Sequence, residues 1–218
     1  MGLKAYYDSR KSYNTSSYIW PDLSTVNDGP DMTTTSDITF LTSSKDLRLY
    51  ADTYSSASFV NMPMSESFAI EMFIMPSASV VATTLLSTET GTYPYIWTYI
   101  TGSELKTDYV SGSGEPTISV SGSITPFKYN HVVLFVSSSD MSLWINGSFQ
   151  STASIETIST WNGAIVGDNN TYPQLYSYDG YMSVIKIWNS VEINRITTNQ
   201  FYSGKDFWSA LPIIDILP

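Results

Sequence analysis

His131-Val132-Val133-Leu134-Phe135-Val136, a turn over Ser137 to Asp140, Met141-Ser142-Leu143-Trp144-Ile145, then Asn146-Gly147 and Ser148-Phe149-Gln150: this run decides the fold class. Its first six residues are nearly all apolar, the pattern of a strand covered on both faces. The chain turns through Ser and Asp and returns as a second strand. Asn146-Gly147 is the strongest short-range hairpin signal, because both residues accept the positive φ of a type I′ turn.

The same grammar extends in both directions. Upstream, Phe68, Ile70, Met72 and Ile74 share one face of a strand at period two, with Glu71 and Phe73 on the other, and Pro76 stops it. Further short strands are expected at 36–41, 47–51, 57–60, 80–86, 95–100, 105–110 and 117–120, between Gly/Ser turns. Downstream, 164–167 and 181–188 complete the series, the latter after the Asp179-Gly180 turn. Residues 1–35 read as an irregular, turn-rich opening. One short helix is expected over 191–202, with Ser190 as N-cap and Gly204 past its end. Many short strands at regular spacing give an all-β class, a sandwich of two antiparallel sheets or jelly roll. The expected organisation is one domain over 1–204 and an apolar tail over 205–218.

Composition removes several functions. Ten Lys+Arg stand against twenty Asp+Glu in 218 residues, a net charge of −10. With no basic cluster the chain lacks the face that nucleic acid requires, so no nucleic-acid partner is expected. The absence of cysteine excludes disulfide frameworks, thiolate zinc sites and cysteine nucleophiles. No apolar run approaches the ~18 residues of a membrane span, and the first residues carry no secretory h-region. No membrane partner is expected. Hydrophobic residues reach 42%, enough for a real core, while only 14% are charged. Polarity therefore comes chiefly from Ser, Thr, Asn and Tyr.

Four segments in order resemble the concanavalin A-like jelly-roll superfamily in its laminin G-like, pentraxin branch. Phe68-Ala69-Ile70-Glu71-Met72-Phe73-Ile74-Met75-Pro76-Ser77 is similar to that branch's "F-T-I-E-x-W-x-x-P" strand. Tyr129-Asn130-His131-Val132-Val133-Leu134 resembles "W-x-H-V-A-L", and Leu143-Trp144-Ile145-Asn146-Gly147 resembles "L-Y-V-N-G". Residues 178–189 resemble "F-x-G-x-I-D-E-V-R-I-Y-N", with Ser183 in place of the usual acidic residue. The opening, Tyr6 to Tyr13 and then Trp20-Pro21-Asp22-Leu23-Ser24, resembles the start of such domains in tailed-phage structural proteins. The likeness covers about residues 5–204. It implies the fold and no single function, because one sandwich hosts lectins, hydrolases and structural modules.

Catalysis is not expected. The superfamily's hydrolases carry an alternating E-x-D-x-x-E strand, which is missing, and Glu71 matches a residue of mostly structural meaning. Glu104 and Asp108 flank a strand without the required partner. His131 is the single histidine and no G-x-S-x-G elbow accompanies it, so it reads as a strand-edge residue bonded to backbone. Calcium is the one cofactor considered, because the resembling domains often bind it at a loop rim. Its candidate ligands are Asp168, Asn170 and Asp179, although Asp and Asn at such places chiefly make turns.

Two aromatic stretches beside turns supply the candidate binding residues: Tyr93, Tyr95 and Trp97, and Tyr172 and Tyr176. They would meet a glycan or a protein. Trp97 is assigned to the strand face opposite Tyr95 or Tyr99, which would make part of the set core. The leading expectation is a non-enzymatic virion component, a capsid decoration or a fibre or appendage protein on the particle exterior. Its partners would be capsid or tail proteins or further copies of itself, with the opening and the tail as docking elements. The alternative is a lectin-like carbohydrate-binding module that adheres to host glycans.

Overall fold

The computed structural model describes residues 2–9, 11, 13–24, 29–41, 46–49, 56–60, 67–77, 83–88, 94–112, 117–156, 163–168 and 177–189. Within these residues the chain is all β, in two antiparallel sheets of eight strands. Strands are numbered in chain order. The first sheet runs β14 (Ser148–Ser154), β13 (Asp140–Ile145), β12 (Asn130–Val136), β7 (Phe68–Pro76), β16 (Gly180–Asn189), β5 (Asp46–Leu49) and β4 (Thr39–Leu41). A further strand, β1 (Gly2–Asp8), also pairs with β16. The second sheet runs β11 (Ile118–Ser123), β10 (Glu104–Val110), β9 (Tyr95–Thr101), β8 (Thr83–Ser87), β15 (Gly163–Val166), β6 (Ala57–Val60), β3 (Met32–Thr34) and β2 (Ile19–Trp20). Sequence-distant neighbours, β12–β7–β16 in one sheet and β8–β15–β6 in the other, are the crossovers of a jelly roll.

One continuous core lies between the sheets. Ile70, Met72, Leu134, Leu143 and Ile187 come from the first, and Leu85, Ile96, Ile100, Leu105 and Val166 from the second. Each such side chain contributes about 1.5–3 kcal/mol on full burial. The two-sided burial expected for 131–136 holds along all of β12 and most of β7. Their outer faces carry a second apolar cluster, Ala69, Val133 and Phe135, against which Trp144 and Trp188 pack. Asn146 and Gly147 adopt φ of 51° and 75°, and Ile145 pairs with Ser148, so the hairpin loop has the two residues expected of it.

Residues 1–35 depart from expectation. They are not an irregular opening but supply β1, β2 and β3, one strand to the first sheet and two to the second. Ala5, Tyr7, Trp20 and Met32 are core residues, and the Tyr7 and Trp20 rings lie 5.9 Å apart. The turn residues that suggested irregularity instead clamp the strands. Asp22 Oδ1 accepts from the Tyr6 amide at 2.8 Å and the Ser24 amide at 3.0 Å, and Asp22 Oδ2 accepts from Ser24 Oγ at 2.6 Å. The opening segment is thus built into the sandwich itself. The helix expected over 191–202 and the tail over 205–218 lie outside the described residues.

Candidate functional site

The most distinctive surface is the outer face of the second sheet across β8 to β11. β9 alternates Tyr95-Ile96-Trp97-Thr98-Tyr99-Ile100, aromatic and β-branched residues suited to a pleated, half-buried surface. Ile96, Thr98 and Ile100 point to the core, and the Thr98 and Thr107 hydroxyls meet there at 3.1 Å. Tyr95, Trp97 and Tyr99 are all half-buried on the opposite, outer face. The separation of Trp97 from Tyr95 or Tyr99 is therefore corrected: residues two and four apart on a strand share a face.

Register aligns the outer residues in rows. Ser87, Trp97, Asp108 and Ser119 stand opposite one another across four strands. Thr84, Tyr99, Lys106 and Ser121 form the next row. Gly102, at φ 62°, closes the tight turn between β9 and β10 that fixes this register.

The rows are tied together. Trp97 Nε1 donates to Thr84 Oγ1 at 2.9 Å, which pins the indole. The Trp97 and Tyr99 rings stack with centroids 4.4 Å apart at 30°. Asp108 is only 8% exposed and accepts from Ser119 Oγ at 2.6 Å. Burial, then the charge and hydrogen bond of Asp108, pushes the Tyr99 hydroxyl up to about 12. At the outer margin Lys106 Nζ lies 3.4 Å from Glu104 Oε2. On the β8 flank the face is bounded by Ser177, which bridges Thr84. The assembly is a platform of aromatic surface, hydroxyls and the Asp108 carboxylate, with Glu104 at its margin, capable of stacking and of directed hydrogen bonding.

Of the sequence candidates, Tyr95 and Trp97 are brought together here, while Tyr93, Tyr172 and Tyr176 lie outside the described residues. Sequence reasoning missed Tyr99, Asp108 and Ser119 as members. Strict parity along β9 and the outward series Glu104, Lys106, Asp108 on β10 carried the signal.

Two of the three calcium candidates lie among the described residues. Asp168 is buried, with Oδ1 accepting from Ser177 Oγ at 3.2 Å, and the Asp179 carbonyl accepts from the Ser77 amide. Asn170 lies outside the described residues. Among the described residues no group of three or more His, Asp or Glu side chains is placed to hold a metal ion.

His131 likewise differs from expectation. It lies on β12 inside the first sheet, not at an edge, because β12 pairs on both sides. Its Nε2 is 3.0 Å from Glu71 Oε1, so its ring partner is a carboxylate and not backbone. Lys186 Nζ at 3.3 Å and Trp188 Nε1 at 3.4 Å take the other carboxylate oxygen of Glu71. Burial pushes Glu71 up, but the His131 hydrogen bond and the Lys186 charge outweigh it and hold the carboxyl below its usual range. Glu71, closed in by three partners, is a structural anion.

Crossed strand order and one core between two antiparallel sheets define a jelly-roll sandwich, and comparison with known proteins agrees. Residues 49–192 match the family model of the concanavalin A-like lectin/glucanases superfamily, and the chain belongs to it. No curated protein matches the chain in sequence. Among solved structures it is similar to domain 4 of an extracellular arabinanase from Geobacillus stearothermophilus in complex with arabinotriose. That match has TM-score 0.58 and 14% identity, covering 90% of this chain and 97% of that one. The botulinum neurotoxin serotype D/C binding domain matches with TM-score 0.69 and 12% identity, covering 97% of this chain but 53% of that one. A SAP-like pentraxin from Limulus polyphemus matches with TM-score 0.50 and 17% identity, covering 66% and 74%. At such identities the likeness is one of fold.

Proposed function

We propose that this protein is a lectin-like carbohydrate-binding module whose glycan lies on the outer face of β8 to β11. The observation that carries this reading is the Trp97–Tyr99 stack, in register with Asp108, Ser119, Lys106 and Ser121. Aromatic surface stacks on the apolar face of a sugar ring, and a carboxylate and hydroxyls beside it hydrogen-bond the ring's hydroxyls. The arabinotriose complex of the similar arabinanase domain supports the reading by analogy of fold. Binding proceeds without hydrolysis. Glu104 and Asp108, the two carboxylates on this face of β10, stand four residues apart, with Cα atoms about 13 Å from each other, and Glu104 pairs with Lys106 between them. Titration of purified protein against array-selected oligosaccharides, followed by tryptophan fluorescence, tests the reading. Saturable binding lost on Trp97→Ala supports it; binding that survives Trp97→Ala contradicts it.

A second reading rests on the opening segment, whose likeness to tailed-phage structural domains supports a place on the exterior of a virion. Capsid or tail proteins would then be its partners, as a decoration, fibre or appendage. The net charge of −10 suits an outer position, since an inner lining would be repelled by packaged DNA. Immunogold labelling of intact particles tests it: exterior label supports the assignment and unlabelled particles contradict it. The two readings are compatible.

A further inference from the structure

The charge on the proposed glycan face is specific enough to name the class of sugar it takes. Among the described residues, the ionisable acids and bases on the outer face of β9 to β11 are Glu104, Lys106 and Asp108, one net negative charge. Lys106 is turned to Glu104 at 3.4 Å, and both side chains are more than a third exposed, so its charge is neutralised and screened. Recognition of a carboxylate sugar is strengthened most by a cation that is free to pair, best a planar guanidinium. Asp108 is the opposite case. At 8% exposure its carboxylate is shielded from salt, and Ser119 and Tyr99 hold it in place from two sides. The whole chain, at −10, adds repulsion of the same sign at longer range.

We infer that this face selects uncharged glycans, with Asp108 as the residue that sets the selectivity. Its remaining lone pairs accept hydrogen bonds from sugar hydroxyls, and its charge repels sugars bearing a carboxylate, such as sialic or uronic acids. This rests on the glycan-binding reading above and narrows it.

The test is an array of matched pairs, each neutral oligosaccharide printed beside its sialylated counterpart, lactose and sialyllactose among them. Neutral members should bind at least about tenfold more tightly at low salt, the effect of roughly one poorly screened charge. The share of the ratio set by Asp108 should persist as ionic strength rises past about 0.15 M, because its buried carboxylate is screened little, while the long-range share of the −10 chain fades. Asp108→Asn, checked for fold by near-UV circular dichroism, should narrow the ratio severalfold. Lys106→Gln removes the positive charge of this face, leaves Asp108 in place and should widen the ratio. Binding to no member contradicts the glycan-binding reading and this inference together. Neutral and acidic members bound equally, or the acidic ones preferred, contradicts the selectivity alone. An unchanged ratio in Asp108→Asn removes Asp108 from the role.

Discussion

Glu71 Oε1 sits 3.0 Å from His131 Nε2 along a diagonal of the β7–β12 pair, while Lys186 stands directly opposite Glu71 on β16. Phe73, the residue directly opposite His131, stacks on its ring at 4.4 Å and 15°. The chain's one histidine is thus locked by a carboxylate and an aromatic face in the middle of a sheet. That arrangement makes it a fixture of the fold.

Because Glu71 is almost fully buried, its loss is costly. Glu71→Gln strands His131 and Lys186 beside a neutral amide and should cost about 3 kcal/mol, read as a lower urea midpoint at pH 7. A folded-state pKa held below the ordinary 4.5 contributes stability that is present above the unfolded value. That stability is lost as pH falls through the lowered folded value. Wild-type protein should therefore lose stability steeply below about pH 4.5, and Glu71→Gln less steeply. Parallel acid limbs in the two proteins would contradict the ion cluster.

Tyr99 gives the opposite sign. Its hydroxyl is pushed up to about 12, so its contribution is complete below the ordinary 10 and lost as pH rises through about 12. Tyr99→Phe should flatten the alkaline limb of a stability–pH profile between about pH 10 and 12 and leave the acid limb unchanged. An alkaline limb as steep as the wild type's would show that Asp108 does not hold the phenol.

Asp22 clamps the opening segment through two backbone amides and the Ser24 hydroxyl. Asp22→Ala leaves the Tyr6 and Ser24 amides without their acceptor and should cost about 1–3 kcal/mol, measured by thermal unfolding. If the variant melts as the wild type does, residues 1–24 do not belong to the cooperative fold.

Much of the fold was legible in sequence because its signals are local. Period-two alternation marked β7 and β9, and Asn146-Gly147 marked a hairpin whose φ values need those residue types. The opening was misread for a physical reason. Pro21, Asp22, Gly29 and Pro30 dominate a local reading, whereas Ala5, Tyr7 and Trp20 reveal themselves as core only through partners far along the chain. The site was half legible. Tyr95 and Trp97 stood out as aromatics, but Asp108 and Ser119 join them only through register between strands, which no single strand encodes. His131 was placed at an edge because strand order, unlike strand identity, depends on the crossovers.

The location of the binding face is tested most directly by the indole resonances. Trp97 lies on the second sheet and Trp144 and Trp188 on the first, so each reports one outer surface. In an ¹⁵N-resolved NMR titration with a neutral oligosaccharide chosen from the array, the Trp97 Nε1–H signal should shift saturably with the β9 to β11 amides, while Trp144 and Trp188 stay still. Shifts confined to Trp144 and Trp188, or none at saturating sugar, would contradict a glycan site on the β8 to β11 face.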